Sequence, residues 1–421
     1  MRFTPPFLHL PVRVQSRRVT IFRSFSRYNH KIANNRAAKP LEEQTLPFYH
    51  QKHYYPARTG EKLNDRYRII SKLGYGAYST VWLGWDDRLK RYASLKICVR
   101  DDTERSPVLN EVAMLQRLGT CAQEAENPGL EFTRLAQDIF EIHTSTGTHH
   151  CIVTKPQGAS IRVLQEVFPN AKLPKLLVKS LIHRLFVSVN WLHATCGLIH
   201  TDISPQNILM QLEDDSSLKD LEEQESQNPS TPIISQGIPI YHSRPLTLEL
   251  SGIPILTDFG QMRPSEPANC DWWMSDLYRA PEVLLQLPWS FPVDIWSIGV
   301  MTLELLEGRN LFDPIDPTND QYVLPLALAQ YIGYLGPPPV EIIRQSPLFS
   351  MFFDDQGNWI SDPPIPQTSL EDFVTTIPPG KEKEAFLRFI RKILTWGPEV
   401  RATSVEIIPD EWLMKPWEEE F

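Results

Sequence analysis

His200-Thr201-Asp202-Ile203-Ser204-Pro205-Gln206-Asn207 is the stretch on which the reading of this chain turns. It offers a carboxylate at Asp202 and an amide five residues later at Asn207, just before the apolar pair Ile208-Leu209. A simple turn or helix cap would also use Asp202-Ile203-Ser204-Pro205. Two further stretches argue against that. Downstream, Asp258-Phe259-Gly260 follows the apolar Ile255-Leu256; upstream, Ala93-Ser94-Leu95-Lys96 places a lysine in a run that is apolar at alternate positions. A base, two oxygen ligands for metal and a lysine for nucleotide phosphates then stand in the order that phosphoryl transfer from ATP requires.

Working outward, Leu73-Gly74-Tyr75-Gly76-Ala77-Tyr78-Ser79-Thr80-Val81 lies about 20 residues before Lys96. Glycines at 74 and 76 let a backbone approach phosphate oxygens with no Cβ in the way. The flanks Tyr67–Leu73 and Ser79–Trp85 alternate and are rich in β-branched and aromatic residues, so they read as a hairpin, with Arg91–Val99 as a third strand. Residues 107–118 have apolar positions at 108, 109, 112, 115 and 118, the spacing of a helix that Pro107 would open. That helix carries Glu111, the natural partner for a Lys96 that would be costly to bury alone. His149–Thr154 reads as another strand; helices are expected over 173–193, 293–307, 322–334 and 381–394. Between Gln211 and about Gly252 lies an acidic, Ser-, Gln- and Pro-containing stretch with little to bury, expected to be a surface insertion.

The 421-residue chain is 42% hydrophobic, enough for one two-lobed enzyme with tails. No apolar run approaches the ~18 residues a membrane helix needs, so no membrane partner is expected. Five cysteines are scattered singly, which fits a reducing compartment and structural thiols. The net charge of −9 hides an asymmetry: residues 1–41 hold nine Arg or Lys and no Asp or Glu, leaving 33 basic against 51 acidic residues beyond them. An acidic body attracts cationic substrates and repels nucleic acid, so no direct nucleic-acid binding is expected. The basic head has the composition of a mitochondrial transit peptide; a basic tail or a weak nuclear-import patch is the competing reading.

With Ala280-Pro281-Glu282 downstream, these motifs resemble the eukaryotic protein kinases over about residues 67–415. Tyr278–Glu282 with a long insert after about Phe312 is similar to the CMGC branch, and His200-Thr201-Asp202-Ile203 to the SR-protein kinases within it. The resemblance implies an α+β fold with a small, mainly β N-lobe (67–154), a hinge (155–158) and a larger, mainly α C-lobe (159–415). It leaves 42–66 as a linker and 416–421 as a tail. It implies a serine/threonine protein kinase using ATP and Mg2+, acting on protein substrates with Arg/Ser-rich segments linked to mRNA processing, as a monomer, in the nucleus or cytoplasm; a cleaved head would instead make it mitochondrial. The implied catalytic residues are Asp202, Lys96 and Asn207. The implied nucleotide site is Leu73, Gly74, Gly76, Val81, Lys96, Glu111, Lys155, Gln157 and Asp258, with Asn207 and Asp258 on the metal and adenine on the Lys155 carbonyl and Gln157 N–H. Glu282 with Arg401, Asp294, and His200 with Phe259 and Leu115 have structural counterparts in the family.

Two departures qualify the resemblance. Thr201 replaces the arginine that reads a phosphorylated activation loop, so constitutive competence is expected. Ser204 stands where such enzymes carry a lysine on the γ-phosphate, a loss of about 2–4 kcal/mol of transition-state stabilisation. Ser204 motivates the alternative of an ATP-binding pseudokinase scaffold.

Overall fold

The computed structural model describes residues 40–417 apart from 48, 50–52, 101–102, 104–105, 125, 236, 247 and 249–250. The basic head, from 1 to 39, and the last four residues lie outside the described residues.

Apolar alternation from Tyr67 onward builds an antiparallel sheet of β1 (Lys62–Leu63), β2 (Tyr67–Gly76), β3 (Ser79–Asp86), β4 (Arg91–Cys98), β5 (Ala136–Thr144) and β6 (Gly147–Thr154), ordered β1-β2-β3-β4-β6-β5. The helix α1 (Pro107–Glu124) buries Val108, Val112, Leu115 and Leu118, the stripe that its spacing predicts, together with Glu111. Strand β5 escaped the sequence reading because Gln137, Asp138, Glu141 and His143 interrupt its apolar positions. It is the edge of the sheet, where one polar face is tolerated.

Below the sheet the chain is mainly helical. Helices α2 (Ile161–Val167) and α3 (Lys175–Asn190) precede a wide final turn, Trp191–Cys196, closed by Gly197 at φ 63°. The helix Pro292–Glu307 is buried along 15 consecutive residues, Val293 to Glu307, which is why its sequence is mostly apolar. This mixed architecture, a β-sheet lobe and a helical lobe, is the α+β arrangement that the resemblance implies. The short strands β7 (Leu198–Ile199) and β8 (Ile208–Met210) flank the quoted stretch at 200–207, and β8 pairs antiparallel with Pro254–Leu256. That pairing draws Asn207 and Asp258 together across 50 residues of sequence.

Two segments do more than their composition suggested. The stretch 42–66, expected as a linker, holds a 3-10 turn at Glu42–Thr45 and strand β1, with Tyr54, Ala57 and Leu63 buried. The insertion contains α4 (Ser216–Gln227), whose Leu218 and Leu221 pack with Ile70, Leu83 and Tyr92 of the sheet. Tyr92 and Arg68 bond Glu222, and Ser71 donates to Glu225. Beyond it, Tyr241 meets Trp82 edge-on with ring centroids 5.4 Å apart. Lys72, fully buried in β2, is paired with Glu43 and donates to the Tyr241 carbonyl at 3.0 Å. The few apolar residues of the insertion, at helical spacing, suffice because they meet an apolar sheet face.

Candidate active site

Lys96 lies on β4 facing α1, where its ammonium donates to both Glu111 oxygens at 2.6 and 2.7 Å and sits 3.7 Å from Asp258 Oδ1. Burial disfavours charge on Lys96, but Asp258 and Glu111 outweigh it and hold its pKa above the ordinary lysine value. Burial pushes Glu111 up against the pull of Lys96, while Lys96 holds Asp258 below the usual carboxylate range. The Lys96 ammonium therefore stays charged at neutral pH. Asn110, next to Glu111, donates to the carbonyls of Gly260 and Met262, tying α1 to the segment after Asp258.

The loop 200–207 hangs from one buried carboxylate. Asp294, at the start of the helix Pro292–Glu307, accepts the N–H of His200 at 2.8 Å and of Thr201 at 2.7 Å, and bonds His193. Thr201 is thereby held at φ 69°, and Asp258 also takes a left-handed backbone at φ 64°. Such conformations are uncommon outside glycine and are held by surrounding structure. His200 is fully buried, bonds the Thr257 carbonyl and meets the Phe259 ring edge-on.

Within this frame Asn207 donates to the Asp202 carboxylate at 2.7 Å and to the Asp202 carbonyl at 2.8 Å. Burial and the like charge of Asp258 raise the pKa of Asp202, opposed by His200 and Asn207. The Ser275 hydroxyl approaches Asp202 closely enough to favour its charged form, without a hydrogen bond of full geometry. Ser204 is buried and brings no charge to the loop. Thr201 donates to the Gln261 carbonyl at 2.9 Å, and the Trp273 indole donates to Thr201 Oγ1 at 3.0 Å. The Arg263 guanidinium stacks on that indole at 3.9 Å, completing an aromatic lock on Thr201. Sequence reasoning missed Trp273, because nothing in Trp272-Trp273 indicates which indole turns inward.

The site fits a nucleotide. A Cβ built at Gly74 or Gly76 meets no atom within 4 Å, so space lies open above the turn that Leu73 and Val81 flank. At the segment 155–157 after β6, the side-chain oxygen of Gln157 is buried without a partner among the described residues, and Lys155 is exposed. Among the described residues no group of three or more His, Cys, Asp or Glu side chains could hold a metal alone. Away from the cleft, Arg401 clasps Glu282 through two bonds of 2.8 and 2.9 Å, both side chains fully buried.

Residues 246–413 match the protein kinase domain model. A serine/threonine protein kinase of Aspergillus fumigatus is 34% identical over 382 residues, 90% of this chain and 92% of that protein. The serine/threonine-protein kinase SRPK of Physarum polycephalum is 27% identical over 391 residues, 86% and 89% of the two chains. SRSF protein kinase 3 of Mus musculus is 32% identical over 174 residues, 40% of this chain and 30% of that protein. Among the described residues no helix is long and apolar enough to cross a membrane. The chain belongs to the eukaryotic protein kinases, as a serine/threonine protein kinase.

Proposed function

We propose that this kinase transfers the γ-phosphate of ATP to serine or threonine hydroxyls in Arg/Ser-rich protein segments, a chemistry linked to mRNA processing. The observation carrying the catalytic half is Lys96 bonded to Glu111 and 3.7 Å from Asp258, with Asp202 and Asn207 joined opposite. Asp202 accepts the proton of the attacking hydroxyl. Lys96 holds the α- and β-phosphates; Leu73, Gly74, Gly76 and Val81 form the roof; the Lys155 carbonyl and Gln157 N–H take adenine. Asp258 and Asn207 hold Mg2+, which when bound neutralises phosphate charge. Catalysis is mostly positioning and charge neutralisation, which these residues supply.

The substrate half is supported by the excess of acid beyond residue 41 and by the names of the SR-type relatives. The test is γ-phosphate transfer by the full chain to an Arg-Ser repeat peptide and to an acidic-flanked serine peptide, with Asp202→Ala alongside. Transfer preferring the Arg-Ser peptide and absent in the variant supports the proposal. Transfer to the acidic peptide alone would overturn the substrate assignment. The buried Ser204 favours a second reading, a nucleotide-binding scaffold. ATP binding without transfer, restored by Ser204→Lys, would establish it.

A further inference from the structure

Ser243 ties two distant segments of the chain together beside strand β2. Its hydroxyl donates to Glu42 Oε2 at 2.7 Å and its N–H to Glu42 Oε1 at 3.1 Å. Glu42 opens the 3-10 turn Glu42–Thr45 and takes a left-handed backbone at φ 54°, a conformation that its surroundings must hold. The same carboxylate lies 3.6 Å from the Lys72 ammonium and 3.6 Å from the His242 imidazole, and Glu43 beside it pairs with Lys72. The Arg244 N–H donates to the Lys72 carbonyl at 2.8 Å, and the Arg244 guanidinium pairs with Glu225 of α4 at 3.1 Å. One hydroxyl thus sits where the segment 42–45, strand β2 and the insertion meet, at Lys72, the residue before Leu73 and Gly74.

Ser243 also has the sequence of a substrate. Beyond residue 41 a serine adjoins an arginine in two places, Arg105-Ser106 and Ser243-Arg244. Ser106 is buried, only 3% exposed. Ser243 is half-buried, with exposed His242 and Pro245 nearby, in a stretch over 241–246 that is neither helix nor strand. Such stretches open locally more readily than the elements they join.

We propose that Ser243 is a phosphorylation site at which one copy of this kinase acts on another, and that the phosphate releases Glu42. The inference rests on the Arg/Ser-rich reading of the substrate class. In the transfer, Ser243 Oγ bonds the γ-phosphorus of ATP and the bond from that phosphorus to the oxygen bridging the β-phosphate breaks. ADP leaves, and the hydroxyl proton passes to Asp202 of the acting copy. The product carries a charge of about −1.5 to −2 at pH 7 where a donor stood. It faces a Glu42 carboxylate only 13% exposed, so attraction becomes like-charge repulsion with little screening. Arg244 does not offset the new charge, being held by Glu225 and the Asn228 carbonyl. Glu42 then relaxes from its left-handed conformation and draws Glu43, the next residue, off Lys72. A fully buried lysine that loses its partner is costly, and β2 loosens at the start of the glycine turn.

The test incubates the full Asp202→Ala chain, isotope-labelled, with wild-type enzyme and Mg2+-ATP, and maps phosphate by mass spectrometry. An Arg-Ser repeat peptide is the parallel substrate. The expected result is phosphate on Ser243 of the labelled chain, absent when wild type is omitted. After nucleotide is removed, the phosphorylated wild-type chain should melt about 2–5 °C below its phosphatase-treated form. Its KM for ATP should be about three- to tenfold higher, the scale of one net hydrogen bond. Ser243→Ala carried through the same incubation should show neither change, which separates Ser243 from any other phosphorylated serine. Peptide phosphorylation with no phosphate on Ser243 would overturn the inference and leave the substrate reading intact. Phosphate on Ser243 with melting temperature and KM unchanged would overturn the release of Glu42. Transfer to neither peptide nor chain would remove the substrate reading and the inference together.

Discussion

The floor and the roof of the cleft are held in place by different means. The floor, residues 200–207 and 258–261, is supported from beneath by the helical core. Asp294 fixes two backbone N–H groups, His200 and Thr201 bond the chain that follows β8's partner strand, and Trp273 closes the lock. The roof is supported from outside, by segments that are not part of the hairpin. Tyr54 holds the turn, Glu43 neutralises Lys72, and α4 covers Ile70 and Leu83. Rigidity in the floor therefore comes from a few bonds close to the chemistry. In the roof it comes from packing partners up to 169 residues away.

Breaking each half should then give a different signature. The largest effect is expected at the floor: Asp202→Asn should lower kcat by about 10²–10⁴-fold, the scale of general-base catalysis, at an unchanged melting temperature. Asp294→Ala should leave two buried N–H groups without an acceptor and cost about 2–6 kcal/mol, read by denaturant unfolding. Kinase activity should be lost with it, because the loop then has no fixed backbone. At the roof, Leu221→Ala should cost about 2 kcal/mol, the low end for a buried leucine beside the surface. It should raise KM for ATP while kcat stays within about twofold of wild type, a change of under 0.5 kcal/mol. A collapse of kcat in that variant would break the comparison.

The smallest effect concerns pH. In its proposed role as base Asp202 must be unprotonated, and burial with Asp258 nearby raises its pKa. Activity should therefore fall on acidification at a pH above that of an ordinary carboxylate near 3.9. The acid limb of kcat/KM checks this, and Ser275→Ala, removing a group that favours the charged form, should move it higher still.

The floor was legible in the sequence because its parts are short, polar and fixed in spacing: His200–Asn207 and Asp258–Gly260. Strands β2 to β4 and helix α1 were legible from periodicity. The supports of the roof were not. Tyr54 and Glu43 sit in a stretch without periodicity, and Lys72 looks like any solvent-facing lysine in an alternating strand. In α4, Leu218 and Leu221 stand among Asp, Glu and Gln, and low mean hydropathy concealed a two-residue apolar face. Pairings across 150 residues leave no local signal.

The covering of β2 by the insertion also has a consequence in time. Lys72 waits for the Tyr241 carbonyl across 169 residues, which a ribosome needs roughly 8 to 34 s to add at about 5–20 residues per second. For most of that interval Ile70, Leu83 and Tyr92 have no α4 to cover them, and the nascent sheet presents an apolar surface to the cell. Variants that weaken α4 should accordingly show their defect first as reduced yield of soluble protein, made worse when chaperones are scarce.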